Sequence, residues 1–140
     1  MIYLANAFSP NMLQFPADVS FKSITADELC EAIHGKIINA IGHQGTISLV
    51  NLLCNTNLQV NRTVIKANVG DVVYIVMLGF RLEEGKIMTS EEVLEAYHKG
   101  KIMLIKAEVY GSVLRDLAAC EGVCNEYEYD ALAYRVKRGQ

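Results

Sequence analysis

His43 stands in the run Ala40-Ile41-Gly42-His43-Gln44-Gly45-Thr46, close to two glycines and at the point where an amphipathic helix is expected to begin. Further on, Phe80-Arg81-Leu82-Glu83-Glu84-Gly85-Lys86 sets the Arg81 guanidinium and the Glu84 carboxylate three residues apart in a glycine-ended turn after an apolar segment. An imidazole that gives or takes a proton near neutral pH, a fixed cation and a carboxylate are together suited to cutting a phosphodiester. The helix start adds to this, because the backbone N–H groups of Gly45 and Thr46 would be free there to meet an anion. Each group also has a plain reading. His43 caps a helix or sits bonded in a core, and Arg81 with Glu84 forms a surface ion pair worth about 0–1 kcal/mol.

Composition bounds what such a site can serve. A chain of 140 residues fits one domain, and 51% apolar residues suffice for a buried core. The net charge of -3 argues against a general nucleic-acid binder, such as a transcriptional regulator, and leaves room for a small anionic ligand in a local cationic pocket. No apolar run reaches the roughly 18 residues a bilayer needs, and no signal-peptide pattern opens the chain, so a cytoplasmic protein is expected. Of the four cysteines, Cys120 and Cys124 lack the second ligand pair of a zinc site, and no metal is expected. Cys30 and Cys54 fall on apolar helix faces and read as small core residues, with a disulfide left open.

The elements that must hold the site follow from periodicity and capping. Ile2–Ala7 and Val19–Ile24 read as strands. Thr25-Ala26-Asp27-Glu28 is a capping box opening a helix to Ile33, and Lys36–Ala40 is a short apolar connector. A second helix runs from Gln44 to Cys54 with Ile47, Val50, Leu53 and Cys54 on its buried stripe. Arg62–Ala67 and Val72–Leu78 are expected to form a hairpin around Asn68-Val69-Gly70-Asp71. Thr89-Ser90-Glu91-Glu92 caps a helix ending near His98, and Lys101–Tyr110 is the last strand. The expected fold is a single α/β (α+β) domain, a mixed sheet of about five strands flanked by helices. It covers residues 1–111, and 112–140 form a helical C-terminal extension.

The two motif segments, with the opening Tyr3-Leu4-Ala5-Asn6-Ala7-Phe8-Ser9, resemble the viral type III anti-CRISPR ring nucleases, small proteins that destroy the second messenger cyclic tetra-adenylate. The resemblance runs from Met1 to Tyr110. It implies His43 as general acid on the leaving 5′-oxygen, Arg81 as the holder of the scissile phosphate, and Glu84 as base or as orienter of His43. It also places Asn6, Ser9, Asn11, Gly45, Thr46, Arg62 and Ile65 against the ligand. For Thr46, Arg62 and Ile65 the plain alternatives are a helix-start hydroxyl, a strand-edge charge and a core aliphatic. The chain departs from its relatives at Gln44-Gly45 and at Met77, where some carry a polar ligand contact.

The implied chemistry needs no cofactor, since each RNA linkage carries its own 2′-hydroxyl nucleophile. The symmetry of the ring implies a C2 homodimer, with the apolar side of the Gln44 helix as a candidate interface. The rival reading is a non-catalytic protein that sequesters the cyclic nucleotide; neither reading involves a membrane or duplex nucleic acid.

Overall fold

The computed structural model describes residues 1–80 and 88–111. Among the described residues five strands and three α-helices follow one another as β1 (Ile2–Ala5), β2 (Asp18–Ser23), α1 (Ala26–Ile33), β3 (Ile38–Asn39), α2 (Gln44–Cys54), β4 (Val72–Leu78), α3 (Ser90–His98) and β5 (Ile102–Tyr110), with a 3-10 turn at Pro10–Met12. They build one mixed sheet in the order β2-β5-β4-β1-β3. β1 lies parallel to both β3 and β4, whereas β5 runs antiparallel to β4 and β2. The carboxyl ends of β1, β3 and β4 therefore meet at one edge of the sheet.

Local chemistry explains the helix bounds. Thr25 and Thr89 accept hydrogen bonds from Glu28 N–H and Glu92 N–H, and Glu92 returns a bond from Thr89 N–H, completing that capping box. All three helices lie on one face of the sheet. Leu29 and Ile33 of α1, Ile47, Leu49 and Val50 of α2, and Val93 of α3 are buried there with Leu4, Val76 and Leu104. Burying a side chain of this size contributes about 1.5–3 kcal/mol. The expected stripe of α2 needs adjustment: Leu49 is buried and Leu53 half-buried. Ile47, Leu49 and Val50 are taken up by the chain's own core, which leaves Leu52 as the exposed large apolar residue of α2.

Residues 62–67 do not form a strand, and the expected hairpin is absent, because β4 has β1 and β5 as its two neighbours and no free edge. The turn itself exists: Asp71 N–H donates to Asn68 C=O at 2.9 Å and Gly70 adopts φ +92°. The alternation of Ile65 and Ala67 has another cause. Both are buried over the second face of the sheet with Tyr3, Ala5, Val73, Ile75, Ala107 and Val109. This segment is an irregular cover, joined to the loop after β1 by the bond from Ala67 N–H to Met12 C=O at 2.7 Å.

Cys30 and Cys54 are bonded to each other, tying α1 to the last residue of α2. Their apolar helix faces meet, which is why each looked like a small core residue. Among the described residues no helix is long and apolar enough to cross a membrane.

Candidate functional site at the start of α2

The chain leaves β1 at Ala5, and Asn6 is the first exposed residue beyond the sheet edge. It leaves β3 at Asn39, passes Ala40, Ile41 and Gly42, and enters α2 after His43. Between these exits lies an open cleft of about 700 Å³ lined by Asn6, Ala40, Gly42, Arg62, Thr63 and Val64. Carboxyl ends of parallel strands are where open α/β sheets take ligands, because helix N-termini converge there.

Arg62 is fixed in this cleft. Its Nε donates to Gly42 C=O at 3.0 Å. Its side-chain stem lies against the Gly42 Cα, where an added Cβ would stand 2.5 Å from Arg62 Cγ. Only glycine allows that approach. Asn39 and Asn61 brace the two strands of chain that make the contact: Asn61 Nδ2 donates to Asn39 C=O at 2.7 Å, and Asn39 Nδ2 donates to Gln59 C=O at 2.6 Å. The cleft thus holds a positioned guanidinium that pairs with no carboxylate among the described residues.

His43 is the N-cap of α2, with extended backbone at φ -118° and ψ 120°. Its Nδ1 accepts from Thr46 N–H at 3.2 Å, and the Thr46 hydroxyl stands 3.1 Å from the same nitrogen. In the neutral ring an Nδ1 that accepts leaves the proton on Nε2. The side chain is exposed, so Nε2 is open to an incoming group. The helix dipole and the first-turn N–H groups still favour negative charge here, but the Thr46 N–H expected to be free for an anion is taken by His43 Nδ1.

The structure brings Asn6 and Arg62 into one cleft wall and sets His43, Gly45 and Thr46 at the adjoining helix start. Thr46 is itself buried. Ser9 and Asn11 lie on the loop after β1, where the Ser9 hydroxyl donates to Asn11 Oδ1 and Asn11 C=O accepts from Lys66 Nζ at 3.0 Å. They belong to the loop-covered side of the sheet and do not line the cleft. Ile65 is 4% exposed, which places it in the core as an aliphatic anchor for the segment carrying Arg62 and Val64. Arg81 and Glu84 lie outside the described residues. β4 nevertheless ends at Leu78 on the same sheet edge, and Phe80 packs against the helix-side core. No local signal points to Lys66, whose Nζ reaches Asn11 C=O across 55 positions, or to Thr63, which lines the cleft.

The displaced titrations sit elsewhere. Burial pushes the Asp71 carboxyl up, but hydrogen bonds from the Met1 ammonium and Asn68 N–H, with the ammonium's charge, outweigh it and leave it below the usual range. The Tyr110 hydroxyl bonded to Glu108 lowers that carboxyl and is itself raised. Among the described residues no cluster of three His, Cys, Asp or Glu could hold a metal ion.

The fold recurs in a known viral protein, and the sequence in others. The solved structure of B116 of Sulfolobus turreted icosahedral virus is similar with a TM-score of 0.72 and 42% identity, covering 76% of this chain and 97% of that one. The uncharacterized protein ORF116 of Acidianus filamentous virus 1 is 42% identical over 113 residues, 79% of this chain and 97% of the relative. The uncharacterized protein ORF117 of Acidianus two-tailed virus is 29% identical over 99 residues, 69% of this chain and 85% of its own length. The family described as STIV B116-like matches residues 2–102, and the chain belongs to this family of small archaeal viral proteins.

Proposed function

We propose that this protein is a metal-independent ring nuclease that binds and opens cyclic tetra-adenylate, and so acts as an anti-CRISPR protein against the effectors that this messenger switches on. The observation that carries the reading is the exposed imidazole of His43, held through Nδ1 at a helix N-terminus and adjoining a cleft with an anchored guanidinium. The likeness of the His43, Arg81–Glu84 and Asn6–Ser9 segments to viral ring nucleases supports it, as do viral relatives on every side of the comparison.

In this reading the α2 N-terminus and Arg62 receive phosphates, while Arg81 holds the scissile one. The ribose 2′-oxygen attacks the adjacent phosphorus and forms the 2′,3′-cyclic phosphate as the bond to the 5′-oxygen breaks. Glu84 takes the 2′-hydroxyl proton, or orients the imidazole while solvent water takes that proton, and protonated His43 delivers its Nε2 proton to the leaving 5′-oxygen. Holding the three atoms in line and protonating the alkoxide each lower the barrier by several kcal/mol. A two-fold ligand is matched by two copies of the site, so a homodimer in the host cytoplasm is part of the proposal.

Incubation of the full chain with labelled cyclic tetra-adenylate in EDTA tests it. The expected result is a linear product ending in a 2′,3′-cyclic phosphate. A ring that is bound yet stays intact would make the protein a sequestering one, and a ring that is neither bound nor cut would end the proposal.

A further inference from the structure

The cap that holds His43 raises a question about its acid form. A ring protonated on both nitrogens has no lone pair on Nδ1, so it cannot accept from Thr46 N–H. With only that partner, the imidazolium would set one N–H against another at 3.2 Å, at a helix end that already disfavours a cation. The Thr46 hydroxyl, 3.1 Å from Nδ1, gives that N–H an acceptor and so offsets the opposition. A hydroxyl is both donor and acceptor, and Thr46 as a residue is only 3% exposed, so water has little access to it.

We propose that Thr46 is a positioning residue for His43, whose hydroxyl accepts from Nδ1–H whenever the ring carries its second proton. This rests on the ring-cleavage reading and replaces the ligand contact that the resemblance implies for the Thr46 side chain. In the resting protein Nδ1 accepts from Thr46 N–H and the proton is on Nε2. In the acid form Nδ1–H donates to Thr46 Oγ1, and Nε2–H faces the leaving group. After Nε2 gives its proton to the 5′-oxygen, the neutral ring keeps Nδ1–H on the hydroxyl. Proton uptake at Nε2 from water restores the acid. Among the described residues the charged group joined to this segment is the Arg62 guanidinium, bonded to Gly42 C=O next to His43, and the Thr46 hydroxyl is the acceptor within reach of Nδ1.

The test compares Thr46→Val and Thr46→Ser in the full chain, with Thr46→Ala in place of valine should that variant not fold. Without the hydroxyl, ring binding should stay within about twofold while single-turnover cleavage falls about ten- to a hundredfold, the range for a hydrogen bond to a charged group. Thr46→Ser should restore the rate. Unchanged cleavage by Thr46→Val, or binding lost in step with cleavage, would overturn the proposal. A second readout needs no ligand: in imidazole NMR at acid pH, Nδ1–H of His43 should exchange slowly in the wild type and in Thr46→Ser, and rapidly in Thr46→Val. Equal exchange in all three would also overturn it. The slow-exchange pattern together with an uncut ring would uphold the Thr46–His43 contact and reject the ring-cleavage reading instead.

Discussion

The two ends of α2 are built on opposite plans. At its C-terminus nearly every polar group is satisfied within the protein. Asn55 closes the helix in the left-handed region at φ 52°. The Asn51 amide accepts from Thr56 Oγ1 and Leu58 N–H and donates to Leu58 C=O. Cys54, buried, is bonded to Cys30 of α1. At the N-terminus the cap is exposed, the flanking residue is a glycine kept small for Arg62, and a cleft opens beside it. The other two α-helices among the described residues are capped by threonine, which caps well and has no proton chemistry near neutral pH. α2 alone is capped by histidine, a poorer cap with proton chemistry. A locally unfavoured choice at one helix start, where two sister helices take the favoured one, marks the end where function outweighed stability.

The largest effect is expected from making α2 like its sisters. His43→Thr keeps a side-chain oxygen for Thr46 N–H but removes the imidazole. Cleavage of cyclic tetra-adenylate should fall about 10²–10⁴-fold, the usual worth of a general acid. Thermal unfolding should show stability unchanged or raised by up to about 1 kcal/mol. A destabilised variant that still cuts the ring would reverse the comparison and make His43 a structural cap.

The opposite end should respond in the opposite way. Cys30→Ser with Cys54→Ser releases a cross-link spanning 24 residues, which should cost about 3–4 kcal/mol of stability. Measured well below the melting transition, the cleavage rate should be that of the wild type. A rate loss without unfolding would show that α1 helps to hold the site.

A smaller change is expected at Gly42. Gly42→Ala drives a methyl into the Arg62 stem and breaks its bond to the Gly42 carbonyl. The guanidinium then leaves its fixed position, and ring affinity should weaken about two- to tenfold. Equal affinity in a titration would show that Arg62 does not need this seat.

Much of this contrast was legible in the sequence where it is local. The bounds of α2 and α3 follow from the apolar stripe and from Thr89 with Glu92, signals in which each residue lies within four positions of the next. The His43 signal is likewise local, because an imidazole just ahead of a helix reads as a cap, a bonded core group or a site. What the sequence hid is carried by distant contacts. Ile65 and Ala67 alternate as a strand does, yet they cover the second core, and nothing local distinguishes the two. β3 is two residues long and exists through its parallel pairing with β1, so its apolar run looked like a connector. Arg62 reaches Gly42 across 20 positions, and that contact alone converts a strand-edge charge into a wall of the cleft. The Cys30–Cys54 bond needed the packing of α1 on α2 to be known first.

Backbone amide shifts of the full chain, recorded as cyclic tetra-adenylate is added in EDTA with His43→Thr to prevent turnover, test most directly where function resides. The amides of Asn6, Gly45 and Thr46 should move as the ring binds, whereas those of Asn51, Thr56 and Leu58 at the other end of α2 should stay in place. Shifts confined to the C-terminal end, or none at saturating ring, would contradict the assignment of the site to the start of α2.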